Sequence, residues 1–459
     1  MAEEKKSEYD KLFLKKKSAY EIFNEKEIKE AFSISEDYKT FLDNNKSERE
    51  IVKYTENLAK KNGFISIEKA TKKSNKIYAI NHEKNIILVD LEKGKIEDGL
   101  RIIGSHIDSV RLDLKLNPIY ESEPFAMINL RYYGGIKKYQ WLNEPLALHG
   151  VIFDKNGNKK EITIGENIDE PVFVISDLLP HLEGKEYASK TALDIIQGEQ
   201  LDAIGANMPI NDKLLKEKIK GNFLKILNDK YKISEEDFVS ADLSLYPAVK
   251  ARDVGIDCSM IGAAAHDDRV CAYSAVKSII DGTKKNGLVI LTSNEEVGSR
   301  GNIGADSKFL ENTISKIIEL KEEKISALEL LEKSIAISGD VTSGLDPKYA
   351  DKMDPYNLNK LSYGIAIEKN IASPTSTASA EYMQFIRQML DKKNIPWQYG
   401  ELGKVDQAGG GTIAYLLARY NMDIVDAGPP VIAMHSPFEI ISKVDLYATY
   451  KAYKEFMDN

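Results

Sequence analysis

The stretch Leu288-Val289-Ile290-Leu291, followed by Asn294-Glu295-Glu296-Val297-Gly298-Ser299, decides how we interpret the fold of this chain. The apolar run begins after Gly287 and is typical of a strand buried in a parallel sheet. Two adjacent glutamates therefore stand where that strand is expected to end, and ligands bind at this end in open α/β sheets. Because neighbouring residues at a strand end point in different directions, one carboxylate could bind a metal ion while the other moves protons. A glutamate pair on a helix is usually a solvated surface, but the apolar run and Gly298 favour a functional site here.

The composition is that of a globular protein with room for two domains. The chain has 459 residues, of which 42% are hydrophobic and 29% are charged. Its formal net charge of −9 argues against a nucleic-acid partner, since such proteins usually carry a basic face. The two cysteines, Cys258 and Cys271, are too few for a disulfide framework or a thiolate zinc site, and they suit a reducing compartment.

The N-terminal residues and the hydropathy of the chain predict a cytoplasmic protein. Acidic residues stand in Met1-Ala2-Glu3-Glu4-Lys5-Lys6, where a signal peptide would be basic, and no apolar run follows them. No stretch of about eighteen apolar residues is present, so we expect no membrane span.

A second apolar run, near residues 99–105, leads into His106-Ile107-Asp108. In a strand, residues two apart face the same way, so Asp108 could accept the second ring N–H of His106. A hydrogen bond of that kind fixes the orientation of a metal-binding imidazole. The alternative is a hydrogen-bonded structural histidine, and the residues alone leave both interpretations open.

Residues 112–247 have a different sequence pattern from the rest of the chain. Short β-like runs alternate there with turn signals such as Lys155-Asn156-Gly157-Asn158, and residues 212–237 are expected to be helical. We interpret this region as an inserted β-rich domain. The catalytic domain would then be discontinuous and consist of residues 1–111 and 248–459.

Hydrophobic periodicity and turn residues predict the remaining elements. Helices are expected within 1–60, where Ser47 and Glu50 have capping-box spacing, and at 270–280, 310–331, 379–390 and from Lys443 onward. Strands are expected at 64–67, 77–91, 334–338, 363–367, 397–402, 424–427 and 431–434. The glycine-rich segment 404–412 lacks the spacing of a phosphate loop, could admit a substrate backbone, and is expected to open a helix to Tyr420.

Four more residues, two of them adjacent, combine a suitable side chain with a strand end or a helix start. Asp267 and Asp268 precede the helical pattern 270–280, where a carboxylate could also serve as an ordinary helix cap. Asp340 follows one predicted strand, and His435 follows another.

Taken together, the candidate site residues share a predicted place on one rim of one sheet: His106, Asp108, Asp267, Glu295, Glu296, Asp340 and His435. Two histidines and several carboxylates, without thiolates, suit two divalent ions of the zinc, cobalt or manganese kind. Two such ions, about 3.5–4 Å apart, can share one bridging carboxylate. Five protein ligands and a shared water would satisfy them and leave one glutamate as a general base. Periodicity does not say which residue takes which place.

The order of these motifs resembles that of the M18 metallo-aminopeptidases, the aspartyl aminopeptidase and aminopeptidase I type of the co-catalytic zinc peptidases. The motifs are His-x-Asp, then Asp, Asn-Glu-Glu-Val-Gly-Ser, Ser-Gly-Asp and Met-His-Ser, and the similarity spans nearly the whole chain. The resemblance implies an α/β fold in which a mixed-sheet catalytic domain, flanked by helices, carries an inserted β-rich dimerisation domain. It also implies a metal-dependent aminopeptidase that removes the N-terminal residue of peptides.

The resemblance further implies a role for each residue. The ligands would be His106 and Asp340 for the first ion, Glu296 and His435 for the second, and Asp267 as the bridge. Glu295 would be the general base, and Asp108 would orient His106. In many members the bridging acid lies in Leu-Asp-Asn-Leu, whereas this chain has His266-Asp267-Asp268-Arg269, so Asp268 is an alternative bridge.

Substrate preference is where the chain departs from the family. Aspartyl aminopeptidases have a lysine and a tyrosine around the segment that corresponds to residues 368–375. Here Glu368 stands in place of that lysine and would repel an acidic side chain, although Lys369, one residue away, could compensate. We therefore expect neutral or apolar N-terminal residues to be accepted at least as well as acidic ones, and the substrate-binding residues stay unassigned.

The resemblance also implies a homo-oligomer, commonly a dodecamer built through the inserted domain, whose enclosed sites admit only short peptides. In such an assembly His181 could reach a neighbouring subunit's site, although a structural role is the alternative. Another two-metal amidohydrolase, such as a deacylase or carboxypeptidase, is a second hypothesis, with Arg300 and Lys404 as candidate cations. A third is a non-catalytic peptide-binding relative.

Overall fold

The computed structural model describes Tyr9 and residues 12–14, 16–91, 94–369 and 378–459. The strands of this part of the chain are β1 (Ile65–Ser66), β2 (Lys76–Asn81), β3 (Asn85–Asp90), β4 (Arg101–His106), β5 (Arg111–Ser122), β6 (Phe125–Tyr133), β7 (Leu146–Phe153), β8 (Lys159–Ile164), β9 (Ala203–Ala206), β10 (Ala241–Pro247), β11 (Arg252–Val254), β12 (Met260–Ala263), β13 (Gly287–Thr292), β14 (Ile335–Ser338), β15 (Thr342–Ser343), β16 (Ile365–Glu368), β17 (Trp397–Tyr399), β18 (Asp423–Gly428), β19 (Pro430–Val431) and β20 (Glu439–Ser442). Its α-helices are α1 (Ala19–Ile22), α2 (Glu25–Asn44), α3 (Glu48–Lys61), α4 (Gly184–Ala188), α5 (Lys218–Tyr231), α6 (His266–Ile280), α7 (Phe309–Lys321), α8 (Ala327–Glu332), α9 (Ala380–Lys392), α10 (Ala414–Leu417) and α11 (Lys443–Asp458).

The larger sheet contains the apolar run at 288–291 in its strand β13. Among the described residues the strand order of this sheet is β1-β2-β3-β13-β4-β14-β18-β16-β17. Strand β13 is parallel to β4 and antiparallel to β3, while β14 is parallel to both β4 and β18, so the sheet is mixed. Because β4, β13 and β14 run the same way, their carboxyl ends meet at one edge.

Both faces of this sheet are covered, which explains why β13 is apolar at successive positions. Val289 and Leu291 belong to the hydrophobic cluster that includes residues of α6 and α11. Leu288 and Ile290 point the other way, into a cluster with residues of α7, α8 and α10. The predicted fold class, a mixed α/β sheet flanked by helices, is confirmed.

A second sheet forms between β4 and β12 in the chain. Its strand order, in the described part of the chain, is β8-β7-β10-β5-β6-β9. It has a hydrophobic cluster of its own, with Leu130, Trp141, Leu148 and Leu245 buried and with residues of α5 packed among them. We propose, on this basis, that residues 112–247 are an inserted domain and that 1–111 with 248–459 form the catalytic domain.

Several predicted elements are shorter than expected. The helix predicted at 310–331 is two helices, because Glu322 adopts a left-handed conformation, with φ 56°, and ends α7. The strand predicted at 431–434 is wrong beyond Val431, since Ala433 and His435 have φ values of 60° and 64°. The expected capping box of Ser47 and Glu50 is confirmed at the start of α3. No helix within the described ranges has both the length and the apolar character needed to cross a membrane.

His149 links the second sheet to helix α3 through ion pairs. This buried residue of β7 places Nδ1 2.9 Å from Glu50 Oε1 in α3 and Nε2 2.8 Å from Glu166 Oε1. Burial disfavours the charged imidazole, but the hydrogen bonds with Glu166 and Glu50 outweigh it and raise the pKa of His149. At a pH below this raised pKa, the contact therefore contains a cation between two carboxylates.

Replacing this cation should destabilise the protein in a pH-dependent way. A histidine whose folded pKa lies above its unfolded value of about 6.5 stabilises the fold fully below that value, and the contribution disappears as pH rises through the folded pKa. We expect His149→Ala to lower the free energy of unfolding by about 2–4 kcal/mol at pH 6 and by less at pH 9. Thermal denaturation at both pH values measures this, with the exposed His181→Ala as a control; equal losses at the two pH values would contradict it.

Candidate metal centre

The seven predicted site residues converge at one edge of the larger sheet. His106 ends β4, and Asp108 follows it; Glu295 and Glu296 lie in a short 3₁₀ turn, Glu295–Val297, after β13. Asp340 follows β14, Asp267 lies in the first turn of α6, and His435 lies in the turn after β19. The parallel directions of β4, β13 and β14 explain why residues so far apart in sequence meet here.

Asp267 lies between the two histidines. Its Oδ1 is 3.1 Å from Nε2 of His106, and its Oδ2 is 3.2 Å from Nε2 of His435. Two groups of possible metal ligands share this carboxylate, and the ligand atoms within each group lie within 4.8 Å of one another. The groups are His106, Asp267 and Asp340, and Asp267, Glu296 and His435.

Asp268, the alternative bridge, lies outside both groups. Its Oδ2 accepts a hydrogen bond of 2.5 Å from the hydroxyl of Ser105, and it is fully buried. Burial raises its pKa well above the ordinary value for an aspartate. Of the two candidates, the carboxylate that faces both histidines is that of Asp267.

Asp108 supports the centre by a different set of hydrogen bonds than the sequence predicts. The Nδ1 atom of His106 is 3.1 Å from the backbone carbonyl of Asp108 and 3.4 Å from its carboxylate. The carboxylate accepts the backbone N–H groups of Glu295 and Glu296, each at 3.1 Å. Asp108 therefore orients His106 mainly through its carbonyl and holds the glutamate turn with its side chain.

Three supporting residues were missed by sequence reasoning. Tyr133, at the end of β6, donates its hydroxyl to Asp108 over 2.8 Å, and the carbonyl of Gly135 lies 2.8 Å from Nδ1 of His435. Glu439 accepts the backbone N–H groups of Asp267, at 3.0 Å, and His435, at 2.7 Å. The pair Gly134-Gly135 after a strand was a signal of close backbone approach, whereas Glu439 in its short strand offered none.

The charges of the centre are poorly balanced by the protein itself. Burial, with the charges of Asp108 and Asp267, raises the pKa of Glu295 to about 7, and burial among carboxylates raises the pKa values of Glu296 and Asp340 as well. Burial opposes the charge of His435, but Asp267 and Glu296 raise its pKa to about 10. Glu296 Oε1 is buried without a hydrogen-bond partner in the described structure. These residues fit divalent cations, which would neutralise the acids and occupy the free oxygen.

A pocket of about 460 Å³ opens onto the centre. The site residues on its wall are Asp267, Glu295, Glu296, Asp340 and His435. Its other walls include Val341, Leu402, Met434 and the glycines at 409–411, so the predicted glycine-rich segment lies at the site. A larger cavity of about 830 Å³ lies among α2, α3 and α6 and is lined by none of the seven site residues.

Comparison with known proteins agrees with this geometry. The model of one family, described as aminopeptidase I zinc metalloprotease (M18), matches residues 41–457. The chain belongs to the M18 family of zinc aminopeptidases. The family resemblance read from the motifs is thereby confirmed, and with it a metal-dependent hydrolase that acts on peptides.

This M18 aminopeptidase is similar to bacterial proteins, and the similarity covers almost their full length. A probable M18 family aminopeptidase 1 of Clostridium acetobutylicum is 42% identical over 457 residues, which cover 96% of this chain and 98% of the relative. The crystal structure of an M18 aminopeptidase from Thermotoga maritima has a TM-score of 0.93 at 39% identity and covers 97% of this chain and all of that one. A crystal structure of aminopeptidase I from Clostridium acetobutylicum gives 0.91 at 41% identity, with 97% of this chain covered.

The contact between Gly134 and Glu296 gives a test of how this M18 centre is supported. Gly134 has φ 79°, and a Cβ there would lie 3.0 Å from Glu296 Oε2 and 2.8 Å from Val110 Cγ1. We expect Gly134→Ala to weaken zinc binding by about 10- to 100-fold, because it would displace one carboxylate. Competition with a chromogenic chelator measures the affinity.

Gly135→Ala is a matched control, since its Cβ would lie at an ordinary 3.6 Å from His435 Nδ1. It should bind zinc nearly as the unmodified protein does. Equal affinities of the two variants would show that the Gly134 contact does not support the centre.

Proposed function

We propose that this chain uses two divalent metal ions to hydrolyse the N-terminal residue from short peptides. The expected metal is zinc, and cobalt and manganese are the alternatives. The observation that carries the proposal is the carboxylate of Asp267 between two histidines, with the free acid Glu295 on the same pocket wall. His106 and Asp340 would hold one ion, Glu296 and His435 the other, and Asp267 both. When bound, such ions supply Lewis acidity and lower the pKa of a water molecule.

The histidines are prepared for this role by their second nitrogens. His106 and His435 each direct Nδ1 to a backbone carbonyl, that of Asp108 and that of Gly135. With the ring proton on Nδ1, both Nε2 atoms are free to act as ligands. The Asp108 side chain, through the backbone of the glutamate turn, keeps Glu295 and Glu296 at the pocket.

Glu295 is our proposed general base. Within the described ranges its carboxylate makes no hydrogen bond, unlike that of Asp108, so it can turn to an incoming water. It would take a proton from the attacking water and return it to the nitrogen of the leaving amine, so that one carboxylate serves both halves of the reaction. The surrounding acids would favour a free α-ammonium group of the substrate, which fits removal of an N-terminal residue.

A carboxypeptidase is less well supported than an aminopeptidase. It would need a cation for the terminal carboxylate of its substrate, but no described residue on the pocket wall is a lysine or an arginine. The two candidate cations from the sequence, Arg300 and Lys404, are not on that wall.

We further propose a homo-oligomer, of which a dodecamer is the expected form. A yeast aminopeptidase 1 that shares the fold at 21% identity has a structure described as a dodecamer. The inserted domain exposes several large apolar side chains that suit subunit contacts: Leu178, Leu179, Leu182, Leu193, Met208 and Leu214. Enclosure of the sites would restrict substrates to short peptides. His181 lies in this exposed region, and its reach into a neighbouring site stays a prediction.

Glu295→Gln should separate metal binding from proton transfer. The amide keeps the shape of the side chain but cannot take a proton, so we expect kcat to fall by about 10²- to 10⁴-fold with metal content unchanged. Hydrolysis of a leucyl p-nitroanilide and elemental analysis of the same sample measure both. Glu319→Gln, on an exposed face of α7, is the control. Near-normal turnover of Glu295→Gln would eliminate this residue as the base.

Asp267→Asn should reduce the metal content of both positions at once. A shared carboxylate contributes to two ions, whereas Asp340→Asn removes a ligand from only one group. We expect about two ions per chain in the unmodified protein, about one after the change at 340, and fewer still after the change at 267. Native mass spectrometry counts the ions directly, and full retention of two ions by Asp267→Asn would disprove a shared ligand.

A further inference from the structure

Glu368 is a buried acid on the wall of the same pocket. It ends β16, and only 3% of it is exposed. Strand β18 separates β16 from β14, after which Asp340 stands, and two strand spacings amount to roughly 10 Å. Glu368 therefore lies beyond the metal centre, at a distance that fits the end of a long substrate side chain whose backbone is at the metal ligands.

The carboxylate of Glu368 is held in place at one oxygen only. Its Oε1 accepts hydrogen bonds from the hydroxyl of Thr342 and, over 3.1 Å, from the amide of Asn359. Thr342 is two residues from Asp340, so the same segment contacts both the centre and Glu368. The other oxygen, Oε2, accepts no hydrogen bond from the described residues. One oxygen is thus fixed, and the second is left for a ligand.

The charge of Glu368 is not balanced by a lysine or an arginine on the described pocket wall. No lysine or arginine is among the described residues that line the pocket, and the sequence of residues 370–377 contains none either. Lys369 is exposed and does not line the pocket. Burial, with the charges of Asp426 and Glu401 and against the hydrogen bonds of Thr342 and Asn359, raises the pKa of Glu368 to about 7. A cation placed here would offset both the cost of burying the charged carboxylate and its repulsion by Asp426 and Glu401.

Apart from its acidic residues and His435, the wall of this pocket consists largely of apolar side chains and glycine backbone. Val341, Leu402, Met434 and the ring of Tyr415 lie on this wall, together with glycines 409–411. Such a lining suits the aliphatic stem of a lysine or arginine side chain, whose charged end needs a polar partner.

We propose that Glu368 is a specificity-determining residue that binds the ammonium or guanidinium group of an N-terminal lysine or arginine. The inference rests on the proposed aminopeptidase function. Its consequence is that peptides beginning with a basic residue are preferred over isosteric neutral ones, and neutral ones over acidic ones.

The test compares lysyl, norleucyl and glutamyl p-nitroanilides, since norleucine has the stem of lysine without its charge. With the metal-loaded oligomer, kcat/KM should be at least about tenfold higher for the lysyl than for the norleucyl substrate. Glu368→Gln should lower this ratio by about tenfold or more, and Glu368→Lys should favour the glutamyl substrate. Glu401→Gln, an acid near Glu368 but not on the pocket wall, is the matched control and should keep the ratio.

A second measurement needs no variant. L-lysine should inhibit hydrolysis of a leucyl substrate more strongly than L-norleucine does, by a similar factor. A ratio near one for the unmodified enzyme, or an equal loss on all three substrates in Glu368→Gln, would overturn the specificity inference while the aminopeptidase function stood. Absence of hydrolysis of every substrate by the metal-loaded enzyme would instead refute the proposed function itself.

Discussion

The placement of several carboxylates around one aspartate is the constraint on which the rest of the structure depends. Two like charges about 4 Å apart repel by about 4 kcal/mol at an effective dielectric constant of about 20. Asp267, Glu295, Glu296 and Asp340 share one pocket wall, and Asp108 and Glu439 lie directly behind it. The chain offsets part of this cost with backbone N–H groups: Asp108 accepts two from the glutamate turn, and Glu439 accepts those of Asp267 and His435. Bound cations would offset the repulsion that these hydrogen bonds leave uncompensated.

The second sheet takes part in this arrangement. Tyr133 ends strand β6 of the second sheet and Gly135 lies just after it, yet they contact Asp108 and His435 of the metal centre. Arg111, at the start of β5, pairs with Glu48 of α3 over 3.1 Å, and its guanidinium stacks on the ring of Tyr133. The second sheet is therefore joined to the catalytic part at the site itself and not only at a distant surface.

The sequence predicted the parts of the fold that depend on local pattern. The buried strand at 288–291 and the helices from 379 and 443 follow from periodicity, and the elements are found there. The strand predicted at 431–434 ends at Val431 because Ala433 and His435 have left-handed backbone conformations, and a pattern of hydrophobic residues does not predict φ. The residues that support the centre, Tyr133 and Glu439 among them, escaped because their partners are remote in sequence. The segment at 368–375 was singled out for specificity, and its residues 370–375 lie outside the described structure.

The position of His435 has a consequence for the timing of assembly. Both this candidate ligand and Glu439, which fixes its backbone, lie far beyond His106 in the sequence. A growing chain contains every residue of the group His106, Asp267 and Asp340 before it contains His435, which the second group needs. The two candidate groups are therefore completed one after the other, in the order in which the chain carries their residues.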